Sequence, residues 1–171
     1  MRAKWTGVLC GSLVLLSLPA WGVGRNVERV AAMEEFQQNR KVAIVVGVEQ
    51  YTSNLGFKPL YYAVDDAKLI AQTLKEQGYK VQLLTDSQAT RDAILDRIEQ
   101  VGKTLPEGDG TLIFYFSGHG LAEDNTNYLA SFGAVAGRLQ SSALSLKEVE
   151  AEIRKTQAPR AVLRSGMNFD D

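Results

Sequence analysis

The sequence has little of three things that mark particular classes of protein: excess charge of one sign, cysteine and histidine. Its 171 residues carry 19 Lys plus Arg and 20 Asp plus Glu, a formal net charge of -1. This balance supplies no electrostatic reason to expect a nucleic acid or an anionic membrane as a partner. The chain has one cysteine, Cys10, and one histidine, His119, so any role that requires a thiol or an imidazole falls to a single residue. No internal repeat or low-complexity segment is present, and the length suits one domain.

The longest uncharged run lies at the N-terminus and has the features of an export signal. Two basic residues precede an apolar run over residues 5–18, which is too short to span a membrane comfortably. A proline and small residues follow. We therefore predict a signal peptide over residues 1–22, cleaved after Gly22 or after Ala20, with export to the periplasm or to the extracellular space. The alternative is an uncleaved N-terminal anchor.

Removal of that segment would also remove Cys10, so the mature chain would contain no cysteine and no disulfide. A lipid anchor on Cys10 is disfavoured, because a leucine precedes it where a small residue is expected. Residues 23–40 are predicted as a polar, partly helical lead-in. No stable membrane anchor is expected after cleavage of the leader.

The rest of the chain alternates predicted strands with predicted helices. Runs of β-branched and other apolar residues, the first of them KVAIVVGV, are typical of strands that are buried on both faces. Helices are predicted from apolar residues at 3.6-residue spacing. The predicted strands are residues 41–48, 79–84, 111–116 and 160–163, and the predicted helices are residues 63–77, 90–105 and one that begins with a capping box at Ser145.

The order of these elements, β-α-β-α-β-loop-α-β, predicts the fold class. We expect an α/β three-layer sandwich, with a mostly parallel sheet and helices on both faces. In such sheets, ligands bind at the carboxyl ends of the strands. Residues 49–59 are predicted as a turn-rich stretch, and residues 127–131 as a short strand or a lid element. The core stripe of the second helix is predicted to consist of Ile94, Ile98, Val101 and Leu105.

The third predicted strand leads directly into Ser117, Gly118, His119 and Gly120, which places the only histidine at a carboxyl end. A glycine on each side of it lets the backbone turn sharply and lets another chain approach closely. A neutral imidazole there can act as a general base near neutral pH. The backbone N–H of Gly120 can point at a developing oxyanion. Alone, Gly-His-Gly is a weak pattern, because a lone histidine at a strand end is more often a hydrogen-bonded loop residue.

In its context, the string FYFSGHG resembles the histidine motif of the caspase and metacaspase families. The first strand and the segment YYAVDDAKLIAQTLKEQGYKV are also similar to the opening of bacterial caspase-like domains. The resemblance covers residues 41–163, the large-subunit part of the family domain. It implies a cysteine-type endopeptidase with His119 as general base, the Gly120 N–H in the oxyanion hole, and a cysteine on the next strand that attacks a polypeptide substrate.

The sequence departs from the family pattern after the fourth predicted strand. The family places its cysteine about fifty residues after the histidine, in an Asp-Ala-Cys context, whereas residues 164–171 read RSGMNFDD. Gly166 stands where aspartate is expected and Asn168 where cysteine is expected, and asparagine is no nucleophile for acyl transfer. Ser165 is a nearby hydroxyl, but it falls out of register.

We therefore predict a catalytic domain that is truncated after its fourth core strand and is inactive as it stands. The abrupt end of the match favours a frameshift, a premature stop or a gene-model error over an evolved pseudoenzyme. The alternative function is a non-catalytic pseudoprotease that binds peptides or a partner without cleaving them. Residues 164–171 are predicted as a non-matching tail that continues the strand poorly.

The remaining polar residues have ordinary structural interpretations. Asp65 and Asp66 begin a helix, where carboxylates interact favourably with the helix dipole. By resemblance to some metacaspases, the pair could belong to a calcium-linked site. No cluster of other ligands accompanies the pair, so no metal and no other cofactor is predicted. Asp124, Asn125 and Asn127 are predicted as a solvated loop beside the site. The residues predicted to pack or to line the rim of the site are Tyr51, Tyr61 and Tyr62.

Overall fold

The computed structural model divides the chain into two units, residues 1–33 and 34–171, and the fold below is that of the second. The predicted leader over residues 1–22 lies outside the described residues. None of the helices in the described part is long and apolar enough to cross a membrane. The structure describes residues 29–30, 34, 40–51, 57–105, 110–158 and 160–169, with side chains up to residue 162.

Within the described residues, six strands form one sheet, and helices cover both of its faces. The sheet order is β2-β1-β3-β4-β5, with β6 paired to β3. The elements are β1 (Lys41–Gly47), α1 (Ala63–Glu76), β2 (Lys80–Thr85), a 3-10 helix (Asp86–Gln88), α2 (Arg91–Thr104), β3 (Thr111–Glu123), β4 (Thr126–Leu129), α3 (Leu139–Ser142), β5 (Leu144–Ser145), α4 (Leu146–Lys155) and β6 (Arg160–Phe169).

The side chains of β1 alternate between two hydrophobic clusters. Val42, Ile44 and Val46 pack in the cluster that contains residues of α2 and α4, and Ala43 and Val45 pack in the cluster that contains residues of α1. Because successive residues of a strand face opposite sides, a strand covered on both faces needs an apolar residue at every position. The prediction of a first strand buried on both faces is confirmed.

The helices also follow the sequence pattern closely. Of the predicted stripe of α2, Ile94, Ile98 and Val101 are fully buried, and Leu105, the C-cap residue, is 7% exposed. At the start of α4, the Ser145 hydroxyl accepts the Glu148 N–H at 3.2 Å, and the Glu148 carboxylate accepts the Ser145 N–H at 3.0 Å. These reciprocal bonds are the predicted capping box, which pairs two N–H groups that the helix itself leaves without partners.

The sheet is mixed, so the prediction of a mostly parallel sheet is wrong. The pairs β1–β2, β1–β3 and β3–β6 are parallel, whereas β3–β4 and β4–β5 are antiparallel. The cause is a tight turn at Asp124 and Asn125, whose φ angles are 48° and 58°. Two successive residues with positive φ form a type I′ turn, which matches the twist of a hairpin. Of the predicted loop, Asp124 and Asn125 form the hairpin turn, whereas Asn127 lies in β4. The predicted short strand or lid over residues 127–131 is a strand, β4, which begins at Thr126 and ends at Leu129.

The third strand is longer than predicted. It continues through Ser117, Gly118, His119 and Gly120 to Glu123, so the histidine lies within a strand and not beyond its end. β1 stops earlier, because its last pair with β3 joins Gly47 to Ser117. His119 therefore still lies beyond the carboxyl end of β1.

The last strand also extends beyond its predicted end. Residues 164–169, which were predicted to continue the strand poorly, pair with β3 in parallel until Phe169 meets Gly120. Among the described residues β6 pairs with β3 alone, and Ala161 and Val162 are exposed. A strand at the edge of a sheet needs less apolar surface than a central strand, which explains why polar residues continue it.

Candidate active site

The site is built where β1 ends beside β3. His119 lies two residues past the last pair between these strands and is 2% exposed. Its carbonyl accepts the N–H of Ala130 at 2.9 Å, just after β4. On the other side of β3, its Cα partner is Asn168 of β6. The only histidine of the chain is thus buried at a junction of four strands.

The segment after β1 holds the imidazole ring. Nε2 of His119 lies 2.7 Å from the carbonyl oxygen of Lys58. Because a carbonyl oxygen only accepts, Nε2 carries the proton, and Nδ1 is the basic nitrogen of the neutral ring. The ring centroids of Tyr51 and Phe57 lie 5.1 and 5.7 Å from that of His119. These contacts fix both the tautomer and the orientation of the ring.

Tyr51 connects the backbone of His119 to the end of β1. Its hydroxyl accepts the His119 N–H at 3.1 Å and donates to the Val48 carbonyl at 3.2 Å. Burial raises the pKa of the Tyr51 phenol well above its ordinary value; the hydrogen bond from His119 opposes this, and the Asp86 carboxylate adds to it. The phenol therefore stays protonated, as its donation to Val48 requires.

Gly118 permits the close approach of Tyr51 to β3. A Cβ at this position would lie 2.8 Å from the Phe116 ring, closer than real Cβ atoms come, and 3.0 Å from the Tyr51 hydroxyl oxygen, tighter than most Cβ contacts. The prediction that a glycine here allows close approach is confirmed. The predicted sharp turn is wrong, because both Gly118 and Gly120 lie within β3.

The N–H of Gly120 faces β6. Both backbone groups of His119 bind partners on the other side of β3, since its N–H donates to Tyr51 and its carbonyl accepts from Ala130. Successive residues of a strand direct their N–H groups to opposite sides. The Gly120 N–H is therefore on the same side of β3 as Asn168.

Comparison with known proteins agrees with this arrangement. The family model described as the caspase domain, a peptidase family, matches residues 40–162. The chain belongs to the caspase domain family. A crystal structure of protein GSU0716 from Geobacter sulfurreducens is similar, with a TM-score of 0.59 and 22% identity over 76% of this chain and 50% of that one. The chain thus spans about half the length of that protein, and the likeness concerns the fold. No curated protein matches.

The register of β6 separates the two candidate nucleophile positions of the caspase-family domain. Asn168 pairs with His119, whereas Ser165 pairs with Phe116. Three residues along a parallel strand correspond to about 10 Å. The backbone therefore brings position 168 level with the histidine and leaves Ser165 a long way down the strand.

Four other residues singled out in the sequence lie in α1 or just before it. Asp65 and Asp66 are in the first turn of α1, and Asp65 forms a 3.2 Å ion pair with Lys68. In the part of the chain that the structure describes, no three or more His, Cys, Asp or Glu residues cluster as metal ligands would. Tyr61 and Tyr62 are largely exposed, so neither of them packs in the core.

Sequence reasoning missed the contribution of Phe57 and Lys58, because it treated residues 49–59 as a turn-rich connection. One signal could have found them. The segment follows the carboxyl end of the first parallel strand, the same edge of the sheet at which His119 lies, and ligand sites of α/β folds collect there. The candidate site thus takes its histidine from one strand and the support for that histidine from the segment after another.

Proposed function

We propose that this caspase-family domain binds a polypeptide at the carboxyl ends of β1, β3 and β6, with His119 as the general base for a nucleophile position at residue 168. The observation that carries the proposal is the backbone register, which makes Asn168 the Cα partner of His119. A base acts on a nucleophile within hydrogen-bonding reach, and directly paired positions on adjacent strands meet this requirement.

The contacts of the ring support the role of base. The Lys58 carbonyl accepts from Nε2, so proton transfer to His119 takes place at Nδ1. The positive charge that then develops on the ring is stabilised by the carbonyl dipole, which is already in place. Burial of His119 keeps this interaction strong, because little water competes for it.

The residue at position 168 decides what the chain does. The amide of Asn168 is no nucleophile for acyl transfer, and the β6 register keeps Ser165 about 10 Å away along the strand. We therefore propose that this sequence retains peptide binding and the general base but does not hydrolyse peptide bonds by the route of its family.

Two further features belong to the same proposal. The resemblance to the family assigns the Gly120 N–H to the oxyanion hole; because this N–H faces β6, where Gly120 pairs with Phe169, the role requires the end of that pairing to open and release the N–H. Export through the leader over residues 1–22 would bring the domain to peptides outside the cytoplasm. Neither role calls for a metal or an organic cofactor.

The test combines a turnover assay with a binding assay on the full chain. Wild type and His119→Ala are incubated with fluorogenic peptide amides that carry acidic or basic residues before the scissile bond, and with a serine-directed fluorophosphonate. We expect no difference in turnover between the two proteins and no label on Ser165. In the binding arm, the same peptides are expected to shift the imidazole NMR signals of wild type.

Two results would contradict the proposal. Turnover in wild type that disappears in His119→Ala but persists in the surface variant Tyr61→Phe would reveal a working nucleophile. Imidazole signals that no peptide shifts would argue against peptide binding at this edge of the sheet. Tyr61 suits the control, because it is 80% exposed and precedes α1 without contributing to the site.

A further inference from the structure

A carboxylate next to the end of β2 holds the beginning of the segment that contacts His119. Oδ1 of Asp86 accepts the N–H of Glu49 at 2.9 Å and the N–H of Gln50 at 3.0 Å. These two residues follow β1 and immediately precede Tyr51. A carboxylate that accepts two backbone N–H groups makes a stronger connection than a neutral side chain would.

Asp86 adopts a backbone conformation that side-chain-bearing residues avoid. Its φ is 41°, in the left-handed region that glycine favours and that aspartate and asparagine tolerate best among the rest. It opens the 3-10 helix, in which the Ala89 N–H donates to the Asp86 carbonyl at 2.7 Å. Such conformations persist where the surrounding structure requires them, and they cluster near functional sites.

Glu49 carries the connection to the far end of the same segment. Its carboxylate accepts the Val64 N–H at 2.9 Å in the first turn of α1, where the N-cap residue Tyr62 supplies no side-chain bond. Its backbone carbonyl accepts the Leu60 N–H at 3.1 Å. Leu60 is two residues from Lys58, so Glu49 restrains the chain close to the carbonyl that binds the imidazole.

We infer that Asp86 and Glu49 are positioning residues of the site. They hold both ends of the segment between β1 and α1, and thereby keep the Lys58 carbonyl on Nε2 of His119. Neither residue contacts the ring itself. The consequence for catalysis rests on the proposed general-base role, whereas the effect on the tautomer of the ring does not.

The variants separate the carboxylate from the backbone conformation. Asp86→Asn keeps an oxygen acceptor and tolerates positive φ, whereas Asp86→Gly accepts the backbone conformation but removes the acceptor. Asp124→Gly is the matched control, because Asp124 has a similar φ of 48° in the hairpin turn between β3 and β4. The same substitution is thereby made at a residue with a similar φ, away from the segment that holds the ring.

The imidazole itself provides the readout. Because the chain contains one histidine, the imidazole NMR signals of the untagged, nitrogen-15-labelled full chain report His119 alone. We expect wild type, Asp86→Asn and Asp124→Gly to show one tautomer, with a slowly exchanging proton on Nε2. In Asp86→Gly we expect this proton to exchange at least about tenfold faster, with a second tautomer present, as the loss of a restraint on one hydrogen bond would produce.

An Asp86→Gly protein that keeps the wild-type tautomer and exchange rate would overturn the inference. If this variant unfolds, Glu49→Ala is compared with Glu49→Gln by the same measurement. An unchanged imidazole in Glu49→Ala would then overturn it, and faster exchange in Glu49→Ala alone would support it. Since no step needs turnover or a bound peptide, failure here leaves the proposed function standing, and failure of peptide binding leaves this inference standing.

Discussion

The two sides of β3 are built differently. On the side of β1, both faces are covered, and the segment after the strand places Tyr51, Phe57 and Lys58 around His119. On the side of β6, pairing runs further along β3, yet the strand begins with exposed residues, and Asn168 stands level with the histidine. The half of the site that contains His119 is packed and hydrogen-bonded, whereas the half that we propose to carry the nucleophile position has asparagine, not cysteine, at this level.

This difference shows that the described support of the ring comes from a different part of the chain than position 168. The hydrogen bonds to the His119 N–H and to Nε2 come from Tyr51 and Lys58, both in the segment after β1. Neither contact depends on which residue stands at position 168.

The largest effect is expected in the core beside β1. Ile44→Ala removes three carbons from a fully buried position in the cluster shared with α2 and α4. Lost burial and the resulting cavity should lower the free energy of unfolding by about 2–5 kcal/mol. Urea denaturation measures this change, and a loss below about 1 kcal/mol would show that the β1 side is less tightly packed than the structure indicates.

Gly118→Ala should have the next largest effect. The added methyl group would push against the Phe116 ring and the Tyr51 hydroxyl, so we expect a loss of about 1–3 kcal/mol from overpacking. Gly118 has no positive φ, so its loss is expected from crowding alone, whereas Gly137→Ala measures strain alone, because its φ is 79° and nothing lies within 4 Å of the new carbon. A Gly118→Ala protein as stable as wild type would show that the Phe116 ring and the Tyr51 hydroxyl move aside without loss.

Tyr51→Phe tests the polar connection between β1 and the histidine. It leaves the buried His119 N–H without its acceptor and the Val48 carbonyl without its donor, which should cost about 1–3 kcal/mol. The exposed Tyr61→Phe should be nearly neutral by comparison. Two melting curves that coincide would indicate that water replaces the Tyr51 hydroxyl without loss.

The smallest effect is expected on β6. Val162 is 43% exposed, so Val162→Ala should change the free energy of unfolding by no more than about 0.5 kcal/mol. The same substitution at Val45, which is fully buried in β1, should cost about 1.5 kcal/mol or more. If the two substitutions lower the free energy of unfolding by the same amount, the two sides of β3 do not differ in their contribution to stability.

Much of the fold follows from the local sequence, but the hairpin does not. The β-branched run of β1 predicts a buried strand, and the Ser145 capping box predicts the start of a helix. Asp124 and Asn125 form a type I′ turn without the glycine that such turns usually contain. The sequence pattern therefore did not predict the antiparallel pairing of β3 with β4. The glycines around His119 also suggested that β3 ends early, because glycine ordinarily interrupts a strand.

The candidate site was predictable in its side chains and not in its backbone groups. His119 stood out as the only histidine within a recognisable motif. The Lys58 carbonyl has no sequence signature, because every residue carries such a group and only the path of the chain brings this one to the ring. The role of Asp86 has no local sequence signature either, because the two N–H groups that its carboxylate accepts belong to Glu49 and Gln50, which are distant in the sequence.

The central claim is that position 168 stands at the level of an imidazole prepared to act as a base. It is tested most directly by a thiol introduced through Asn168→Cys in a Cys10→Ser background, compared with Met167→Cys on the next position of β6. The rate of alkylation by iodoacetamide is measured against pH, with and without His119→Ala.

We predict that the thiol from Asn168→Cys titrates below the ordinary value of about 8.5 and that His119→Ala restores that value. The thiol from Met167→Cys should titrate normally, because adjacent residues of a strand face opposite sides of the sheet. Two thiols that titrate alike, or a low value at position 168 that survives His119→Ala, would contradict the account.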